Sequence, residues 1–111
     1  MKSEDKIQSE IFQWFWNSFP NYLIHAVPNG GHRNVVEALK LKSTGTVPGV
    51  ADLIIHLPNA KCVMCEVKTE IGTQSPAQKK IEAKIKAMGG NYILVRSLED
   101  FKEKIKKFIL K

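Results

Sequence analysis

Cysteine is scarce in this chain of 111 residues, with only Cys62 and Cys65 present. They have the spacing of a zinc knuckle, but residues three apart on an extended strand face opposite sides and no second pair follows. They read as reduced core thiols. Long hydrophobic runs are missing too: nothing approaches the roughly 20 apolar residues that a membrane span needs. Met1-Lys2-Ser3-Glu4-Asp5-Lys6 lacks the apolar stretch of a signal peptide. These absences point to a cytoplasmic protein without a membrane partner. Repeats and low-complexity stretches are also absent, and 43% hydrophobic content at this length supports one packed core, hence a single domain over 1–111.

Acidic residues are in deficit, and the deficit is local. The net charge is +6, yet residues 1–78 hold seven basic and seven acidic side chains. The whole excess therefore belongs to the last third, with ten basic against four acidic residues. A polyanionic partner would suit that segment. Phe101, Ile105, Phe108 and Ile109 recur at helical spacing there, so an ordinary solvated face between them explains the lysines equally well.

The pattern along the chain predicts helix, strand, helix, strand, strand, helix, strand, helix. Ser3 is positioned to cap a first helix that carries Glu4 and Asp5 in its opening turn and runs to about Phe19. Tyr22 to Val27 reads as a strand, and Val35 to Lys42 as a helix ended by Gly45. Asp52 to Leu57 and Lys61 to Lys68 read as paired strands joined through Pro58-Asn59. Ser75-Pro76 opens a third helix, Gly89-Gly90 ends it, Asn91 to Arg96 returns as a strand, and Leu98 to Leu110 closes as an amphipathic helix. This order predicts an α/β fold, a mixed central sheet flanked by helices on both faces.

Two short strings carry the chemistry: Gly49-Val50-Ala51-Asp52 and Glu66-Val67-Lys68. Side chains alternate along a strand, so Glu66 and Lys68 point the same way about 6 to 7 Å apart. If the turn at Pro58-Asn59 folds the second strand back on the first, Asp52 lies beside Glu66. Two carboxylates at one point repel unless a cation sits between them, and an all-oxygen donor set suits Mg²⁺ or Mn²⁺. Such an ion, with Lys68 as a fixed positive charge, fits hydrolysis of phosphodiesters. Lys68 would either stabilise the transition state or orient the attacking water. Arg33, Lys40 and Lys42 precede the first of these strands and are candidates for contact with a phosphate, as is His32 if its loop approaches the substrate.

These residues resemble the virus-type replication-repair nuclease (VRR-NUC) domain of the PD-(D/E)xK nuclease superfamily. The resemblance runs from Glu10 through Pro28-Asn29-Gly30-Gly31, the segment from Lys42 to Leu53, Glu66-Val67-Lys68 and Ser75-Pro76-Ala77-Gln78 to Gly89-Gly90. It departs at Ala51, where the family usually has proline. The resemblance implies a restriction-endonuclease-like fold and a metal-dependent DNA endonuclease. Asp52 and Glu66 would be metal ligands beside the Val67 carbonyl, Lys68 the catalytic lysine, Gln78 an active-site helper and Glu10 an acid from the first helix. It further implies a dimeric enzyme acting on branched DNA such as four-way (Holliday) junctions, with no small-molecule cofactor. An inactive DNA-structure-binding module and a flap or nicking nuclease are the alternatives.

Three features have two readings each. Measured from Ile7 at 100° per residue, Glu10 falls at about −60°, beside Trp14 at about −20°, on the border of an apolar arc. A carboxylate there needs a partner, which a metal or a lysine would supply. Phe12, Trp16 and Phe19 point elsewhere, at about 120° to 180°, so another layer of the domain or a second subunit must cover them; a homodimer is the expectation. Ser75-x-x-Gln78 is a capping box, which accounts for Gln78 without catalysis. His25 and His56 alternate with apolar strand residues and read as hydrogen-bonded core or edge positions.

Overall fold

The structure is a computed structural model that describes residues 1–28 and 34–109. Its elements are α1 (Glu4–Ser18), β1 (Leu23–Ala26), α2 (Val35–Ser43), β2 (Leu53–His56), β3 (Cys62–Val67), α3 (Pro76–Ala87), β4 (Asn91–Val95) and α4 (Leu98–Ile109). The order is the one that the sequence pattern predicts, with ends that coincide or differ by one or two residues. Among the described residues no helix is long and apolar enough to cross a membrane.

The sheet runs β1-β2-β3-β4. The first two pairings are antiparallel and the last is parallel. The β2–β3 hairpin closes through Asn59 and Ala60, both at positive φ (65° and 61°), and Leu57 N–H donates to Lys61 O at 2.8 Å. That left-handed pair is the turn that matches the right-handed twist of antiparallel strands.

Alternation along each strand divides the sheet into two unlike faces. Leu53, Ile55, Val63, Cys65, Val67, Ile93 and Val95 are buried against Ile7, Ile11 and Phe15 of α1 and Phe101 and Ile105 of α4. Ile54 and Met64 face the other way, where with Ile81 and Ile85 of α3 they line an apolar cavity of about 300 Å³. Helices therefore cover both faces, but unequally. No residue of α2 is buried, and Val35, Val36 and Leu39 are all more than 60% exposed. Cys65 lies in the core and Cys62 at its edge, both as free thiols, and burial, followed by the charges of Asp52 and Glu66, pushes the Cys65 thiol well up.

Candidate active site

Register brings the two acidic positions together. Leu53 is opposite Cys65 in the β2–β3 pair, so one further step of the ladder sets Asp52 opposite Glu66. Their side chains share a hydrogen bond, and the Val67 N–H donates to Asp52 Oδ2 at 2.8 Å. Glu66 is 1% exposed. Burial first, then the charge of Asp52 and the bond to it, push its carboxyl up to about 8, with Lys68 opposing. Lys68 Nζ is 3.9 Å from Glu66 Oε2, and the lysine side chain is 9% exposed.

Gly49 couples the first string to the third helix. It sits at φ +87°, and a Cβ there would lie 2.6 Å from the carbonyl carbon and oxygen of Ala77 and 2.9 Å from the amide nitrogen of Gln78. Only glycine allows the loop before Asp52 to touch the first turn of α3. Gly49→Ala is therefore expected to lower stability by about 2 to 4 kcal/mol, combining left-handed strain with a backbone clash. A thermal melt checks this, and a loss below about 1 kcal/mol contradicts it.

Gln78 serves both of its readings at once, with opposite ends of one amide. Its Oε1 accepts from the Ser75 N–H at 2.8 Å, completing the capping box. Its Nε2 donates to Glu66 Oε2 at 3.0 Å. The other Glu66 oxygen lies 3.5 Å from the Tyr92 hydroxyl, which accepts from Gln74 Nε2 at 3.3 Å; Gln74 in turn bonds Glu82. Burial raises the Tyr92 phenol as well. Nothing in the sequence singles out Tyr92 or Gln74. A third such residue is Arg96, whose Nη1 donates to the carbonyls of Thr69 and Gly72, both at 2.7 Å. It holds the loop that follows Lys68.

Of the two partners open to Glu10 in the sequence, the structure supplies the lysine. Lys2 Nζ bonds both of its oxygens, at 3.0 and 2.8 Å, and that hydrogen bond draws its carboxyl below the usual range. It faces a cleft with Glu70, Arg96 and Leu98. The acid of α1 whose charge reaches Glu66 is Glu4. The reason lies in which arc of α1 is buried. Ile7, Ile11 and Phe15 are the buried residues, at about 0°, 40° and 80° on the wheel, so Glu4 at about 60° extends the middle of that arc. Centring the arc on these three residues would have selected Glu4 from the sequence.

Of the positions read as phosphate contacts, Lys40 and Lys42 lie exposed on α2, whereas His32 and Arg33 fall outside the described residues. Trp16 is 51% exposed and stacks on Phe12 with ring centroids 5.5 Å apart. Trp14 instead packs edge-on to Phe101, with Lys102 Nζ 5.0 Å from its ring centre.

Among the described residues no group of three His, Cys, Asp or Glu side chains is placed to hold a metal ion. The donor set still suits a hard ion. Mg²⁺ is commonly bound by one or two carboxylates, the rest of its shell being water and substrate phosphate. Burial first and the charge of Asp52 second hold the Glu66 carboxyl up, and a cation between the two acids would draw it down.

No protein-family model and no curated protein matches the chain. Solved structures do. One described as "VRR_NUC domain protein" superposes with a TM-score of 0.81 at 24% identity, covering 99% of this chain and 90% of its own. Another, described as "VRR_NUC domain", has a TM-score of 0.68 at 18% identity, with 96% and 99% covered. Likeness over nearly the full length of both partners establishes that this chain has the VRR_NUC fold.

Proposed function

We propose that this protein is a nuclease of the VRR-NUC type, a Mg²⁺- or Mn²⁺-dependent DNA endonuclease. The observation that carries the reading is Asp52 opposite Glu66 with Lys68 Nζ 3.9 Å from the Glu66 carboxylate. The names of the structural neighbours agree with it. Asp52 and Glu66 would hold the ion, assisted by the Val67 carbonyl, and α1 would add only the more distant charge of Glu4. The bound ion would supply Lewis acidity and an acidified water. Asp52 is oriented by the Val67 N–H, and Gln78 and Tyr92 fix the two Glu66 oxygens. Lys68 brings a permanent cation to the scissile phosphate, compensating charge that grows in the transition state. Exposed Lys40 and Lys42, with His32 and Arg33, would contact the flanking backbone.

The substrate we favour is branched DNA, including four-way junctions, cut by a homodimer. Half-exposed Trp16 and the exposed apolar residues of α2 give it surfaces for self-association. Two sites related by a two-fold axis can cut two strands of a symmetric junction. Light scattering should report about twice the 12.5 kDa chain mass; a monomer at micromolar concentration removes the dimer. For activity, labelled junction, flap and linear duplex are incubated with Mg²⁺, Mn²⁺ or chelator. Cleavage that requires the metal and prefers the junction supports the reading. Binding without cleavage would make the chain a DNA-structure-binding module, and preference for the flap a flap nuclease.

The double use of Gln78 gives a paired prediction. Ser75→Ala removes the cap alone and should cost about 1 kcal/mol while leaving cleavage within about two-fold. Gln78→Ala should cost a similar amount and lower cleavage at least about tenfold, because Glu66 loses a donor. Equal turnover in the two variants would leave Gln78 only its capping role.

A further inference from the structure

On the sheet face away from α1 and α4, two histidines meet. His25 alternates with buried Ile24 on β1, and His56 with buried Ile55 on β2. The pairing of Leu23 with His56 and of His25 with Ile54 makes the two histidines diagonal neighbours. Their Nε2 atoms share a hydrogen bond at 3.0 Å, and the rings meet edge to edge, with centroids 5.1 Å apart and planes 17° from parallel. His56 is exposed and His25 half-buried, so an ion from solvent has access.

The tautomer of His25 follows from its other nitrogen. Nδ1 is 3.2 Å from the Ala26 carbonyl, which can only accept, so Nδ1 carries the proton. In the neutral ring the lone pair is then on Nε2 and accepts from the His56 Nε2–H; a cation that takes both Nε2 atoms moves that proton to His56 Nδ1 or to solvent. A carbonyl holding Nδ1–H while Nε2 ligates is the usual outer arrangement of metal-binding histidine. At the usual metal–imidazole distance of about 2.0 to 2.1 Å, an N···N separation of 3.0 Å corresponds to a bite angle of about 95°. That is open to tetragonal coordination as it stands, and to tetrahedral coordination after widening by a few tenths of an ångström.

We propose that His25 and His56 form a second metal site, a two-imidazole chelate for a borderline transition cation such as Zn²⁺ or Cu²⁺ that staples edge strand β1 to β2. Water completes the coordination, since no third His, Cys, Asp or Glu among the described residues joins the pair. Nitrogen donors select against Mg²⁺. His56 is four residues along the chain from Asp52, about 13 Å in extended strand, so one ion does not serve both places.

The test titrates Zn²⁺ into the full chain in millimolar Mg²⁺, which occupies the carboxylates without competing for imidazole. Calorimetry should give about one equivalent with micromolar affinity, and Zn²⁺ should raise the melting temperature reversibly on chelation. His25→Ala or His56→Ala should each weaken uptake at least about tenfold. Both rings are at the surface, and circular dichroism checks that the variants fold. Independently of any variant, Cu²⁺ bound to the native chain should show electron-spin splitting from two imidazole nitrogens. No Zn²⁺ uptake, uptake unchanged in the double variant, or a Cu²⁺ spectrum without two nitrogens overturns the proposal, whatever the outcome of the DNA cleavage assays.

Discussion

Glu66→Gln is expected to make the metal-free protein more stable at pH 9 while lowering DNA cleavage by three orders of magnitude or more. In the folded chain the Glu66 carboxyl is pushed up to about 8, from an ordinary value of 4.5. An acid raised in this way favours folding while protonated. Its contribution is complete below the unfolded value of 4.5 and is lost as pH rises through about 8. Glutamine copies the protonated acid in shape and can still bond Asp52, Gln78 and Tyr92. The two proteins should therefore melt together below about pH 4.5, separate as pH rises from there to about 8, and keep a constant gap above that, with the variant ahead by at least about 5 °C. Calorimetry in the presence of chelator measures this difference. Mn²⁺ should close the gap from the other side, stabilising the native chain at pH 9 and leaving the variant unmoved. Parallel melting curves across this range would mean that Glu66 ionises freely, and that no pair of opposed acids awaits a cation.

Lys68→Met should reduce single-turnover cleavage by about two to three orders of magnitude while changing DNA affinity only a few-fold. Methionine keeps much of the stem and removes the ammonium that lies 3.9 Å from Glu66 Oε2. Stability should hold, because a largely buried cation is exchanged for an apolar group of similar length. Without that charge the Glu66 carboxyl moves higher still, so residual activity should need more Mn²⁺ and higher pH. Lys68→Arg should not restore the rate: the lysine stem packs within about 4 Å of the space above Gly72, and a planar guanidinium needs a different opening. Activity of Lys68→Met within tenfold of native would remove Lys68 from the chemistry.

The sequence by itself determined the order of elements, the hairpin at Pro58-Asn59, and the meeting of Asp52, Glu66 and Lys68. All of these follow from local rules: period-two alternation, capping and turn residues, and a short hairpin whose register is set by its own loop. The Gln78 cap was legible for the same reason. What tertiary structure alone decided is which surface of each element faces the site. Glu10 and Glu4 are on one helix, and with Ile7, Ile11 and Phe15 buried it is the charge of Glu4 that reaches Glu66, while Lys2 takes Glu10. Tyr92 and Arg96 reach the site only because β4 pairs in parallel with β3, across separations of 26 and 27 residues. A parallel crossover brings together residues that share no local pattern, so the supports of Glu66 and of the Lys68 loop have no signal in the one-dimensional chain.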